Sequence, residues 1–415
     1  MPGIIENVVY QHAENACSLW WQRHNAVHEP HYAFEDLVHL DNRVEANLDG
    51  LRIAGNHAFP IIDANIAGGD EGGVFTKAVL LLERGENDKF LDLAESLNDK
   101  RDVLEELESA LAWVKPDVLA NTVKELLSSA TPTSVELGLH ACAAHQRPAK
   151  KYLQNALTSD DTNLRATAMK VAANLGFTDV QHQLQSLSEF ESDRERFHCG
   201  RALAMLGKQD AGSALLKPLA LGGSSFNSKA VKLIAMMNDI AACKALLKTL
   251  DADERRERDV IRGFGYLGDP VAIDWLISKT ELPQLCRIAG GSISMITGID
   301  LAESDLETLD EPEGYLDMGP NDDPDDHNIA MDEDEDLPWP DPERVRAWWQ
   351  SSAKLPSGQY FLNGREKTRH ELCIVIREGF QRQRNAAADN LALMNPDSLF
   401  YDTSLPTNKQ RLWMQ

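Results

Sequence analysis

The sequence predicts an all-α fold, an α-solenoid of short helix pairs, and three observations carry that prediction. First, eight stretches align on one anchor position, at Gly85, Lys115, His145, Gly176, Gly207, Asn238, Gly268 and Gly298, with successive spacings of 30 or 31 residues. A regular period of this length is the mark of a repeat architecture. Second, the residue four positions before the anchor is apolar in seven of eight cases: Leu81, Leu111, Ala141, Ala172, Leu203, Ile234 and Phe264, with Ser294 the exception. The residue after it is mostly small (Leu82, Ala112, Cys142, Ala173, Ala204, Ala235, Gly265, Met295), which suits the buried stripe of an amphipathic helix. Third, charge is unevenly placed. Of 66 Asp and Glu residues, 18 fall between 301 and 343, where there is no Lys or Arg, so most of the net charge of −25 sits in one stretch.

Residues 1–72 read as an N-terminal helical cap. "YQHAENACSLWWQRHNAVHE" and "YAFEDLVHLDNRVEANLDGLRIAG" are two helices broken at Pro30. Residues 73–300 are the repeat array. Each anchor ends a first helix, because Gly, or Asn at Asn238, takes the left-handed conformation that satisfies the last carbonyls. At Lys115 and His145 the stop is helped by Pro116 and Pro148. A second apolar helix follows, as in "DVLANTVKELLSS", "DAGSALLKPLAL" and "PVAIDWLISK". Neither helix of such a pair can bury its apolar face alone, so neighbouring pairs stack as a HEAT-like α-solenoid.

One stretch of the array, "RDVIRGFGYLGDPVAI", contains G-x-G-x-x-G at Gly263, Gly265 and Gly268. A dinucleotide loop needs a buried strand before it and an acidic residue about 20 positions later. Before it stands the charged "DADERRERDV", and near position 288 there is no Asp or Glu. The repeat explains these glycines instead. Gly268 ends a helix, Gly265 is the small residue at a crowded helix contact, and Gly263 is a tolerated helix glycine.

Residues 301–337 are acidic, contain Pro and Gly, and are poor in apolar residues, which predicts a flexible arm. Residues 338–415 read as a small, mostly helical C-terminal module. Asp341 is its first N-cap with Pro342 at the first helical position, Asn363-Gly364 forms a hairpin turn, and one long helix spans about His370 to Met394.

No apolar run approaches the roughly 18 residues of a membrane span, and the start lacks a basic segment followed by an apolar core. The six cysteines lie far apart without a C-x-x-C pair, as expected of reduced thiols in a cytoplasmic protein. The basic footprint that would neutralise nucleic-acid phosphates is missing. Six of twelve histidines (His12, His24, His28, His31, His39, His57) fall in the first 60 residues. His24 and His28 are one helical turn apart, but "HNAVH" indicates no third metal ligand. The acidic arm lacks the glycine of a calcium loop, and no nucleophile elbow or phosphate loop is present. The sequence therefore assigns no catalytic residue, cofactor or metal. Tryptophans beside an acidic arm can anchor a protein partner. The candidate protein-binding residues are Trp339, Trp348 and Trp349 with Asp332, Glu333, Asp334, Glu335 and Asp336.

The stretches "EPHYAFEDLVHLDNRVEANLDGLRIAG", "GYLGDPVAIDWLI", "ITGIDL", "DLPWPDPERVRAWW", "FLNGR" and "RQRNAAADNLALMNP" resemble a family of bacterial HEAT-like repeat proteins encoded beside type VI secretion genes. The resemblance spans nearly the whole chain and is densest at its ends. It implies a cytoplasmic protein partner, in the role of an adaptor, chaperone or accessory factor for loading a secretion spike or effector. An immunity protein that occludes a cognate toxin is the alternative. The family supplies no catalytic residues to transfer.

Overall fold

A computed structural model describes residues 4–70, 72–97, 100–187, 189–315, 332, 334–352 and 354–414. The chain is mostly helical, and among the described residues its only strands are two antiparallel pairs of two residues each. Its contacts group it into two compact units, not the four segments read from the sequence. Unit 1 holds residues up to 28, 32–212 and 395 onward, and unit 2 holds 29–31 and 213–394. Residues 338–415 therefore do not stand apart as a module, because their last part packs into unit 1 and the rest into unit 2.

Unit 1 opens with α1 (Glu6–Ala26) and α2 (Phe34–Ala54), packed along their lengths, and α3 (Ala58–Gly68). Eight short helices follow: α4 (Gly73–Glu83), α5 (Asn87–Ser96), α6 (Leu104–Trp113), α7 (Pro116–Ser128), α8 (Pro132–Ala144), α9 (Lys150–Ala156), α10 (Thr162–Asn174) and α11 (Gln181–Gln185). The first helices, α4, α6, α8, α10 and then α12 (Asp193–Met205), contact one another in succession. The predicted stripe is what they bury: Leu81, Leu111, Ala141, Ala172 and Leu203, with Ala112, Cys142, Ala173 and Ala204 beside them. Trp20, Phe75, Leu107 and Leu119 complete the main core of this unit. Helix α13 (Gln209–Leu221) begins in unit 1 and ends in unit 2.

Unit 2 repeats the pattern with α14 (Asn227–Met236), α15 (Ile240–Leu250), α16 (Glu257–Leu267), α17 (Ile273–Lys279) and α18 (Cys286–Thr297). Strand β1 (Glu307–Thr308) pairs with β2 (Trp339–Pro340), and α19 (Pro342–Ser351) follows. The Asp341 carboxylate caps α19 by accepting from the backbone N–H groups of Glu343 and Arg344. Strands β3 (Phe361–Leu362) and β4 (Arg365–Glu366) form the expected hairpin, with Asn363 and Gly364 both at positive φ. Helices α20 (Arg369–Glu378) and α21 (Gln381–Met394) replace the single long helix expected there. The break falls at Gly379, whose extended backbone (ψ 166°) ends α20. The chain closes with α22 (Thr407–Trp413), which belongs to unit 1.

Five anchors, Gly85, Gly176, Gly207, Gly268 and Gly298, take positive φ between 64° and 89°, so the repeat period marks left-handed helix stops. At His145 the left-handed residue is its neighbour Gln146. Asn238 departs from expectation. Helix α14 ends at Met236, Met237 is extended, and Asp239 already caps α15, so no left-handed residue is needed. The glycine motif lies within and at the end of α16, without a preceding strand. A Cβ on Gly265 would stand 2.9 Å from Ser292 Oγ and 3.2 Å from Ser292 Cα on α18, as its predicted role requires. Gly263 is more than tolerated, since a Cβ there would overlap the Leu247 side chain of α15.

Gly265→Leu should therefore destabilise the protein by about 1–3 kcal/mol through overpacking, read as a lower urea midpoint with unchanged slope. Detectable NAD or FAD binding by the wild-type protein would contradict this structural assignment.

Candidate binding surfaces

In both units a non-repeat piece of chain is docked against the C-terminal ends of first helices. The last carbonyls of a helix lack intrahelical donors and need partners. In unit 2 the β3–β4 hairpin supplies them. Phe361 N–H donates to Gly268 O (2.8 Å), Asn363 N–H to Met295 O (2.7 Å) and Gly364 N–H to Ile296 O (3.0 Å). At Gly268 a Cβ would overlap the Phe361 carbonyl, so the missing side chain is what lets the strand in. The Lys367 ammonium donates to Tyr266 O (2.5 Å) and Leu267 O (3.1 Å) at the end of α16. Burial pushes its pKa down to about 7, and the carbonyl end of the helix dipole opposes that loss of charge.

In unit 1 the C-terminal tail, from Asn395 onward, plays the same part. Phe400 N–H donates to Asn174 O (2.8 Å), two residues before Gly176. The Asp397 carbonyl carbon would lie 2.9 Å from a Cβ on Gly176, and Pro396 about as close to one on Gly207. The Phe400 ring lies 5.0 Å from the Arg201 guanidinium. Leu405 is buried with Ala112 and Ala144, against Trp413. Arg23 of α1 donates to Ser404 O (2.6 Å) and Leu405 O (2.8 Å) while its Nε bonds Asp41 (2.9 Å). The second oxygen of Asp41 accepts from Thr407 N–H (2.6 Å). At the far end, Lys409 Nζ donates to His145 Nδ1 (2.9 Å), whose Nε2 faces Leu111 O (2.8 Å).

Beneath the tail lies a polar cavity of about 240 Å³ lined by Trp20, His24, His28, Glu105, Glu108, His140 and Lys170, among others. His24 Nε2 is 3.3 Å from Glu105, which this hydrogen bond holds below the usual carboxylate range. The same ring stacks on Trp20 at 5.0 Å and meets His28 edge-on. His140 Nε2 is 3.1 Å from Glu108. Burial pushes Glu108 up to about 7 and His140 well below its ordinary value, with Lys170 and Arg194 further disfavouring the imidazolium. Below about pH 7 the raised Glu108 carboxyl is protonated and its O–H can donate to the neutral imidazole. Both side chains keep some accessible surface because they line a space wide enough for water. Among the described residues no three metal-ligating side chains converge.

The described predicted binding residues belong to unit 2 and divide into four places. Trp339 is covered by the Arg287 guanidinium at 3.5 Å and met edge-on by Tyr315. Asp332 joins them, accepting from Tyr315 Oη (2.6 Å) and Arg287 (3.0 Å); despite burial, these contacts keep its carboxyl low. Asp334 is buried (4% exposed) and pairs with Arg258 at 2.7 Å. Trp349 is a core residue with Trp348 packed beside it. Glu335 and Asp336 remain exposed and border a cavity of about 530 Å³ lined by Met295, Leu301, Leu337 and Phe380. There Asp336 lies 3.8 Å from His31, and burial with the adjacent Asp336 carboxylate pushes Glu29 up to about 7. Glu333 and residues 316–331 lie outside the described residues. Leu301, Leu306 and Leu337, at either end of the predicted flexible arm, are buried against unit 2.

Arg23, Asp41 and Arg201 were not singled out in the sequence, and His145 only as a repeat anchor. One signal was there to read: the residue six before the anchor is basic in four successive repeats, at Lys170, Arg201, Lys232 and Arg262. Three of these meet non-repeat segments, Arg201 through Phe400, Lys232 through Asp389 (2.8 Å) and Arg262 through Asp334 (3.7 Å). No family model, curated protein or solved structure matches this chain.

The Glu108 shift fixes a pH dependence. A carboxyl raised to about 7 when folded contributes stability that is full below its unfolded value and lost as pH rises towards 7. Glu108→Gln keeps a donor for His140 without this loss. Relative to wild type, the variant should gain about 1–2 kcal/mol between pH 5 and 7.5, measured by urea unfolding at both pH values. An identical pH trend in the two proteins would rule out a protonated Glu108.

Proposed function

We propose that this protein is a non-catalytic scaffold that binds other polypeptides, its helix pairs stacking as a HEAT-like α-solenoid. One observation supports the reading: the helix ends already hold non-repeat polypeptide, the hairpin in unit 2 and the tail in unit 1. Both are held through backbone N–H groups, a mode that reads chain conformation first and side chains second. Within this reading, the resemblance to proteins encoded beside type VI secretion genes points to an adaptor, chaperone or accessory factor for spike or effector loading. The sequence expectation of an immunity protein stays as the alternative.

A photo-crosslinking residue at Leu399, exposed on the tail surface, should capture discrete polypeptides in cells, whereas one at Val118, exposed on α7, should not. Secretion-system components among the captured chains, with a secretion defect on deletion, support the adaptor. A single toxin held one-to-one supports the immunity protein. Equal capture at both positions would remove the basis for a specific binding surface.

A further inference from the structure

The repeat period ends at Gly298, so α18 is the last first helix of the array. Non-repeat segments pack on it instead of a further helix pair, among them β2 and β3. Ser294 marks the change. It is the one position four before an anchor that is not apolar. Together with Gly291 and Met295 it lines the cavity of about 530 Å³ in unit 2 rather than filling it. The rest of the wall comes from residues 299–302 after α18, residues 335–338 before β2, and Phe380 and Arg382 around the start of α21. Pro30 and His31, which group with unit 2, complete it.

The floor of this cavity is apolar. Met295, Leu301 and Leu337 are buried there, with Ile299 and Phe380 partly buried beside them. Gln383, a buried amide on the same wall, is spent within the protein, its Oε1 accepting from Phe380 N–H at 3.0 Å. The rim is charged, and mostly of one sign. Asp300, Glu307, Glu335 and Asp336 stand there against the Arg382 guanidinium and His31, which lies 3.8 Å from Asp336. Glu29 feels the excess: burial and its hydrogen bond with Asp336 push it up to about 7, although Arg382 acts the other way. Two carboxyls placed like this disfavour a second negative charge until a cation joins them. The volume falls within the range of small-molecule pockets, about 300–1,000 Å³.

We propose that this cavity binds a small amphipathic amine, its ammonium held at the rim by Asp336 and Glu335 and its apolar body laid on Met295, Leu301 and Leu337. Charge complementarity selects this class. A carboxylate of the same size meets four acids at the rim and is repelled, and a neutral molecule gains only the floor. Unit 2 alone supplies the site, so it stands apart from the scaffold reading and either can fail without the other.

The test uses the full chain, methyl-labelled at methionine, with hexylamine, hexanol and hexanoate as probes that share one alkyl stem and differ in charge. An alkylamine resembles a lysine side chain, with a pKa of about 10.4, and is charged at pH 7.5. The Met295 methyl signal should shift saturably with hexylamine, at an affinity at least tenfold above that for hexanol, and should not move with hexanoate. Glu335→Gln with Asp336→Asn changes two exposed residues and removes the rim charge. It should weaken hexylamine at least tenfold and leave hexanol unchanged. Ser294→Leu restores the apolar residue that the period places at this position and fills the cavity, so both probes should be lost. An ammonium also gathers on the surface of a chain with net charge −25. Hexylamine binding that leaves Met295 unmoved, or that persists unchanged in a Ser294→Leu variant with wild-type circular dichroism, would be surface attraction only and would overturn the site. Equal affinity for hexylamine and hexanol would overturn the amine as its ligand.

Discussion

The unpaired carbonyls at the C-terminal end of each first helix are the constraint on which the rest depends. Buried carbonyls without donors are costly, and a left-handed stop settles only part of the debt. At Gly268, Gly298 and Gly176 the remainder is met from far along the sequence, by Phe361, Asn363, Gly364 and Phe400. Within each unit this ties a non-repeat segment to the repeats. It also explains why the anchors are glycine where a strand or tail arrives. A side chain at Gly268 would occupy the space of the Phe361 carbonyl. The same glycine thus serves as helix stop and as docking point.

Electrostatics reinforces the same line. A helix C-terminus carries partial negative charge, so basic groups collect there. Lys367 is the buried instance, with its ammonium on two terminal carbonyls of α16. One turn further back stand the bases of the repeat, and in unit 2 they draw in acidic segments. Asp334 pairs with Arg258 and Arg262, and Asp389 with Lys232. Part of the acidic stretch that dominates the net charge is therefore neutralised within its own unit. These pairs are partly buried, so salt screens them less than surface pairs.

What was legible in the sequence follows from this division. The stripe Leu81, Leu111, Ala141, Ala172 and Leu203 could be read because packing acts locally and repeats every 30 or 31 residues. The Asp341 cap and the Asn363-Gly364 turn could be read because both are decided by neighbours in the chain. The docking of the tail could not. Arg23 bonds Ser404 and Leu405, and Asp41 bonds Thr407, across more than 360 residues with no period to announce them. Composition gave no sign of burial at the described end of the acidic stretch. Asp334 is buried because Arg258, Arg262 and Arg287, distant in sequence, surround it. Trp349 shows the matching ambiguity, since a tryptophan reads alike as anchor or core until its surroundings are known.

On the proposed scaffold reading, the helix-end mode also limits what a partner can be. A helix has already spent its N–H groups on its own carbonyls beyond the first turn, so its side cannot supply the donors that Asn174 O accepts in the resident tail. Strands keep alternate N–H groups free, as the hairpin shows. Adding acid to the segment brings no gain at the carbonyls themselves, where the helix dipole is negative, but does so one turn back, beside the bases. On that reading, selection would act in two registers. Free backbone donors decide whether a segment can dock at a glycine stop, and side chains about one turn away, like Phe400 over Arg201, decide which segment does.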